Sequence, residues 1–305
     1  MMIKKVYVDG QHGTTGLEIQ KYIEEHPYLT LSTIPFEKRH DKDVRKSLLN
    51  SCDIAILCLP DDGSREAVSM IENPDVFVID TSTAHRTLED WCYGLPELSK
   101  AQTQRILASN RIANPGCHAT AAILLIKPLI ENGVITKDTA LKLYSITGYS
   151  GGGKSMISEF ESGETLPPRH YALSLNHKHI PEMMKYLDLD HKPMFMPVVG
   201  AYKRGILLSM PLEVSELSKE MNHSELIDLY KKYYHDSVFA RIGVNTSSQI
   251  DAETTQYGNI FEIDVFGNEN QILFTIKLDN LGKGASGAAI QTINLKFGFD
   301  LKLGI

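Results

Sequence analysis

Apolar residues in the first 120 positions come in short runs with no alternation: Val6-Tyr7-Val8, Leu29 to Ile34, Ile54 to Leu59 and Val76 to Ile79. A run apolar on both faces is what a strand covered on both sides of a sheet requires. Between these runs lie stretches with helical spacing, the first ending near Glu25, and strand alternating with helix predicts a parallel sheet with crossover helices. A shorter run, Arg105 to Ala108, leads into Ile112 to Cys117, and Ala119 to Ile130 reads as a helix that opens a second domain. From about Thr139 the runs lengthen, as in Ala140 to Ile146, Ile206 to Val214, Gly258 to Phe266 and Gln271 to Leu278. The alternation Phe261-Glu262-Ile263-Asp264-Val265 predicts antiparallel pairing with one wetted face. Helices over Ser155 to Glu161 and Ser224 to Tyr234 would cover the other face. Finally Ala285, Ala288, Ala289, Ile293 and Phe297 recur at helical spacing, which predicts that Gly284 to Phe299 returns as a helix onto the first domain.

Length and charge narrow the class of protein. The chain has 305 residues, enough for two domains at roughly 150 each, and a 42% hydrophobic share gives each a core. With 31 Lys and Arg against 38 Asp and Glu, the formal net charge of −7 repels polyanions, so nucleic acid is not an expected partner. No run of 18 apolar residues occurs, and Met1-Met2-Ile3-Lys4-Lys5-Val6 is too short and too charged for a secretory or membrane segment. A cytoplasmic protein with no membrane contact is expected. The cysteines, at 52, 58, 92 and 117, show no CxxC spacing, so reduced thiols are expected.

Directly after the first strand stands Gly10-Gln11-His12-Gly13-Thr14-Thr15-Gly16, opening a helix. Glycines in that context let backbone N–H groups approach a pyrophosphate at a helix N-terminus, so a dinucleotide site is expected at Gly10, Gly13, Thr14, Thr15 and Gly16. The spacing is G-x-x-G-x-x-G and not G-x-G-x-x-G. After the second strand, where a ribose-binding carboxylate is common, the chain has Pro35-Phe36-Glu37-Lys38-Arg39-His40. Lys38 and Arg39 suit a 2′-phosphate, so NADP is expected over NAD, with Glu37 the discordant residue.

Cys117 follows Asn114-Pro115-Gly116 and precedes a helical pattern, which puts its sulfur at a helix N-terminus where the dipole favours thiolate. Cys52, Cys58 and Cys92 lie in or beside apolar runs and read as packed, inert thiols. A thiolate in a nicotinamide-binding protein points to an acyl or hemiacetal adduct with hydride transfer.

Six blocks then converge on one family: Gly10 to Gly16, Ser82-Thr83-Ala84-His85-Arg86, Asn114-Pro115-Gly116-Cys117-His118-Ala119-Thr120, Tyr149 to Lys154, His177 to Glu182, and Asp279 to Ala289. In this order they resemble N-acetyl-gamma-glutamyl-phosphate reductase of the shorter type, which is related to aspartate-semialdehyde dehydrogenase. The resemblance implies an α/β fold, with a Rossmann-type NADP-binding domain over 1–117 and 285–305 and an α+β catalytic and dimerisation domain with a mainly antiparallel sheet over 118–284. It implies NADPH-dependent reduction of N-acetyl-L-glutamyl 5-phosphate to the 5-semialdehyde with phosphate release, in arginine biosynthesis, by a homodimer or homotetramer. Cys117 is then the nucleophile, Ser150 a substrate contact, and Lys283 and Gly284 a second cofactor contact. The longer-type pattern G-H-R-H is departed from at Asn176-His177-Lys178-His179, where Lys178 keeps charge but loses the bidentate fork.

Chemistry assigns further expectations. An imidazole suits the proton steps; His177 and His179, just before Pro181 in a non-helical bend, are expected to point different ways, with His179 favoured as acid/base. No metal site is expected, since no Cys or carboxylate cluster completes a zinc set around this pair. Arg86, at the end of a strand, and Arg204 are expected to clamp the substrate's carboxylate and phosphate. Gly151-Gly152-Gly153-Lys154 lacks P-loop spacing and reads as a turn before a helix. Competing readings are aspartate-semialdehyde dehydrogenase, an N-acetyl-aminoadipyl-phosphate reductase, which differs by one methylene, and a silent dinucleotide sensor, against which the intact Cys117 and histidines stand.

Overall fold

The computed structural model describes residues 2–163, 166–254 and 257–305. The chain divides into two compact units, one of residues 1–115 with 285–305 and one of residues 116–284. In the first, β1 (Lys4–Asp9), α1 (Thr14–Glu25), β2 (Leu29–Ser32), α2 (Lys42–Ser51), β3 (Ile54–Leu57), α3 (Asp61–Met70), β4 (Phe77–Asp80), β5 (Cys92–Tyr93), α4 (Lys100–Ala108) and β6 (Arg111–Ala113) follow in order. The six strands form one sheet, β2-β1-β3-β4-β6-β5, with every pair parallel. Because side chains alternate across a strand, Val6 and Val8 face one layer, with Ile19, Ile23, Ile56, Ile106, Ile290 and Ile293, while Tyr7 faces the other, with Leu49, Ala55, Leu57, Ala67 and Trp91. Two covered faces explain why these strands read as unbroken apolar runs. The run 105–108, Arg-Ile-Leu-Ala, is the last turn of α4, whose buried Ile106 joins the first layer, and the next strand begins at Arg111.

The second unit begins with α5 (Cys117–Glu131), β7 (Lys142–Gly148), α6 (Gly153–Phe160), β8 (Arg169–His170), α7 (Ile180–Leu187), β9 (Met194–Gly200) and β10 (Ile206–Glu213). It continues with α8 (His223–Tyr233), β11 (Ala240–Ile242), β12 (Phe261–Gly267) and β13 (Gln271–Leu278); α9 (Gly287–Phe297) then completes the first unit. Its sheet, β11-β12-β13-β10-β7-β9-β8, is mixed and mostly antiparallel, with β11–β12 and β7–β9 the parallel pairs. Helix α5 is buried on nearly every side and contains Pro128, which has no N–H for the Leu124 carbonyl. Two tyrosines at the end of α8 reach α5 there: Tyr234 donates to Leu124 O at 2.7 Å in place of that N–H, and Tyr230 donates to Leu125 O at 2.5 Å. Among the described residues no helix is long and apolar enough to cross a membrane.

Candidate active site

The chain leaves β1 through Gly10, whose φ is +86° and where a Cβ would lie 2.2 Å from the Cys58 carbonyl oxygen, just past β3. Gly16 is as tightly enclosed, since a Cβ there would meet the Gly10 carbonyl oxygen at 2.5 Å. These two glycines are required by the fold itself. Gly13 is not: its nearest obstacle is 3.4 Å away, and as N-cap of α1 it offers no side-chain acceptor to the first-turn N–H groups. Thr14 Oγ1 is buried and, among the described residues, has no hydrogen-bond partner. An open backbone, uncapped N–H groups and an orphaned hydroxyl at one turn fit a dinucleotide pyrophosphate. The turn is held by Gln11 Nε2, which donates to Ile34 O at 3.2 Å, and by Ser286 Oγ, which donates to Thr15 O at 3.4 Å.

Past β2, a single turn over Phe36–Lys38 presents Lys38 to solvent and leaves Arg39 half-buried. Arg39 lies flat, its Cζ 3.8 Å from the centre of the Phe36 ring and its Nη1 donating to Phe36 O at 2.8 Å. At the end of β4 the buried Asp80 accepts from Ser64, Ser82 and His85 at 2.5 to 2.8 Å, and Trp91 stacks on His85 at 4.2 Å. That network fixes the segment carrying Arg86, which is buried and donates from Nη2 to Thr81 O at 2.8 Å.

In the second unit Cys117 is the first residue of α5, after the N-cap Gly116. Gly116 N–H donates to Glu182 Oε2 at 2.9 Å, a buried carboxylate in the first turn of α7. From the other side, a Cβ on Gly284 would stand 2.7 Å from the Cys117 Cβ, so only glycine fits there. Cys117 is thus closely flanked by backbone and is partly exposed. The other thiols are suppressed: burial pushes Cys52 up to about 11 and Cys58 to about 12, and raises Cys92.

His177 and His179 converge instead of diverging. Their rings meet edge to face at 4.7 Å, His177 Nδ1 accepts the His179 backbone N–H at 3.1 Å, and both contact a third ring, His118, at 5.5 and 5.8 Å. Pro181 does not bend the segment: it sits in the first turn of α7, for which His179 is the N-cap, because proline's fixed φ suits a helix start. Burial, then the charge of Lys178, depresses His177 to about 4; burial, then His177 and Lys178, depresses His118 to about 3. Among the described residues no group of three or more His, Cys, Asp or Glu is arranged to hold a metal ion.

The loop between β9 and β10 is stitched to the turn after β7. Ser150 N–H donates to Lys203 O at 3.2 Å, and Asn280 donates to Ser150 Oγ at 2.9 Å while accepting Gly205 N–H at 2.8 Å. Arg204 does not offer the free fork expected of a substrate clamp. Its Nε and Nη2 edge is bound to the buried Asp279 at 3.0 and 2.5 Å, and its Cζ lies 4.1 Å over the Tyr257 ring. Lys283 is fully enclosed, with its Nζ 5.8 Å from the Phe239 ring in the interior of the second unit.

Comparison with known proteins matches residues 5–106 to the semialdehyde dehydrogenase NAD-binding domain and residues 117–280 to the semialdehyde dehydrogenase dimerisation domain. An N-acetyl-gamma-glutamyl-phosphate reductase of Burkholderia cenocepacia is 41% identical over 98% of both chains, and a Pseudomonas putida protein named N-acetyl-gamma-glutamyl-phosphate reductase 2 is 42% identical over 96% of both. The chain belongs to the N-acetyl-gamma-glutamyl-phosphate reductases, within the semialdehyde dehydrogenase family. In this family a nicotinamide dinucleotide is the cofactor, which agrees with the turn at Gly10 to Gly16. Among solved structures, an aspartate semialdehyde dehydrogenase II from Vibrio cholerae superposes with a TM-score of 0.71 at 16% identity, covering 98% of this chain and 99% of that one. An aspartate semialdehyde dehydrogenase with NADP from Candida albicans gives 0.66 at 14%, covering 99% of both. These likenesses establish the shared α/β fold.

For a reductase of this family, four residues around the cysteine escaped the reading of the sequence: His118, Ser145, Tyr171 and Glu182. His118 lay inside the motif Asn114 to Thr120 and Glu182 inside His177 to Glu182, so both were visible without a role. Ser145, in the middle of β7, and Tyr171, just past β8, carried no signal.

Proposed function

We propose that the chain reduces N-acetyl-L-glutamyl 5-phosphate with NADPH to N-acetyl-L-glutamate 5-semialdehyde and phosphate, through a thioester on Cys117. The reading is carried by Cys117 at the start of α5, backed by Gly284 and by the Gly116–Glu182 bond, in a chain whose relatives are named for this reaction. Residues 1–117 with 285–305 hold the dinucleotide. Gly10 and Gly16 shape the turn, Gly13 and Thr14 meet the pyrophosphate, Thr15 lies alongside, and Lys38 and Arg39 face the 2′-phosphate that makes NADP the cofactor. Residues 118–284 carry catalysis and dimerisation, in a homodimer or homotetramer.

The Cys117 sulfur attacks the acyl carbon as thiolate, the C–O bond to phosphate breaks, and a thioester remains. The nicotinamide, when bound, supplies the hydride that reduces it. Collapse of the resulting oxyanion expels the thiolate and frees the aldehyde; overall one proton is consumed and leaves on the phosphate. His179 is the group that moves protons, for a reason of bonding: His177 Nδ1 is occupied by a backbone N–H and its ring stays neutral near pH 7. His177 orients His179. Arg86, held by Thr81, and Ser150, held by Asn280, contact the substrate's anionic groups and backbone. Arg204 acts at one remove, by fixing Asp279.

The test runs the reaction backwards. NADP-dependent, phosphate-dependent oxidation of N-acetylglutamate semialdehyde should far exceed that of aspartate semialdehyde; equal or reversed rates would reject the substrate, and no phosphate dependence would reject the thioester route.

A further inference from the structure

Asp279, the first residue after β13, is buried, and both oxygens of its carboxylate are filled from within the second unit. Oδ1 accepts from Arg204 Nε and from the Leu281 N–H, each at 3.0 Å. Oδ2 accepts from Arg204 Nη2 at 2.5 Å and from the Gly258 N–H at 3.1 Å. Donors from the β9–β10 loop, from the segment before β12 and from its own turn thus converge on one side chain. Only a carboxylate can take them all, because an amide has a single oxygen and its nitrogen is itself a donor. Stability alone is a poor reason for the arrangement, since a buried ion pair does little better than well-packed apolar residues of the same volume. What it fixes is the path of the chain. After the Leu281 N–H turns back onto the carboxylate, the Gly258 carbonyl accepts the Lys283 N–H and the Asp279 carbonyl accepts the Gly284 N–H, both at 2.9 Å. The turn ends with Gly284 against the cysteine, where an added Cβ would lie 2.7 Å from the Cys117 Cβ and 3.2 Å from its Cα.

We propose that Asp279 is a positioning residue: by drawing Arg204, Gly258 and its own turn onto one carboxylate, it holds the main chain of Gly284 against Cys117 and so limits the directions open to the sulfur. A side chain has three staggered wells about χ1, and main chain packed at the Cβ removes those that would drive the sulfur into it. The ionisation of the thiol is left to the start of α5; its aim is set by Asp279 without contact. The inference rests on the proposed role of Cys117 as nucleophile and not on which acyl phosphate it attacks. Undiminished turnover in Cys117→Ser would strike that role, whereas undiminished turnover in Asp279→Asn would strike this inference alone.

The measurement sets turnover beside thiol reactivity in the full chain. Asp279→Asn keeps the size of the side chain and exchanges one acceptor for a donor. Its kcat per folded chain, with the folded fraction read from the denaturant curve, should fall about tenfold or more, since misplacing a reacting group by about 1 Å is enough for that. Alkylation of Cys117 by iodoacetamide, which needs no fixed approach, should stay within about threefold of wild type across the pH range, because the thiolate fraction is unchanged. Gly284→Ala presses on the same cysteine from the far end of the turn and should also lower kcat; joined to Asp279→Asn, it should cost less than the product of the two losses. A merely structural Asp279 would lower the folded fraction and leave kcat per folded chain at the wild-type value, and that result overturns the proposal. Alkylation that falls in step with kcat, or losses that multiply, overturn it as well. Should Asp279→Asn fail to fold, Arg204→Lys takes its place, keeping the charge but not the fork: reduced kcat with unchanged alkylation is expected, and an unchanged kcat overturns the proposal.

Discussion

The glycine turn of the first unit and the imidazole cluster of the second, the two places proposed to meet negative charge, are built by different means. The turn is seven consecutive residues and works through main-chain N–H groups at the uncapped start of α1, a positive potential that no pH near neutrality alters. The cluster draws on α5, β7, the segment 171–179 and α7, and works through side chains whose protonation burial controls. Side chains matter little in the first except where a Cβ is forbidden; in the second each ring is fixed by another ring or hydroxyl, so one substitution reaches several partners.

The largest expected effect is at the cysteine. Cys117→Ser should leave turnover below about 1% of wild type with dinucleotide binding unchanged in a cofactor titration, because an alcohol is far less ionised than a thiol. Comparable activity would end the case for a covalent route. Within the cluster, His179→Asn should lower the maximal rate by roughly 10²–10⁴-fold, whereas His177→Asn should act more on substrate affinity and stability. A pH–rate profile identical to wild type in both variants would remove the imidazoles from proton transfer.

The glycines separate folding from binding. Gly10→Ala should destabilise the protein by roughly 2 kcal/mol or more, read from a denaturant midpoint, since it combines positive φ with a backbone clash. Gly13→Ala should leave that midpoint in place and weaken dinucleotide binding. If instead both variants lose only stability, the turn is structural. Replacing Lys38 and Arg39 by alanine should weaken NADPH binding by about tenfold and leave NADH nearly unaffected. Equal losses for the two would put these side chains elsewhere.

The last effect concerns acid. Unfolded, His118 and His177 take up protons below their ordinary 6.5; folded, they resist until about 3 and about 4. Their contribution to stability is therefore complete above pH 6.5 and drains away as pH falls toward 4. Urea midpoints at pH 7 and pH 5 should show the loss, and His118→Gln should reduce it. A midpoint flat across that interval would mean that the rings titrate normally in the folded chain.

Local patterns went far in this chain, but not everywhere. The apolar runs located β1 to β4, the glycine heptad located the turn into α1, and Asn114-Pro115-Gly116-Cys117 before a helical pattern located the start of α5, because each depends on residues adjacent in sequence. The same locality misled at Pro181, which opens a helix as readily as it bends a chain. What tertiary structure decided is how charges are partnered: Arg204 is held by Asp279, 75 positions away, and His118 lies between Ser145 and Tyr171, 27 and 53 positions away. Backbone conformation is set by neighbours a few residues apart, whereas the ionisation and bonding of a buried side chain are set by whatever the fold presses against it.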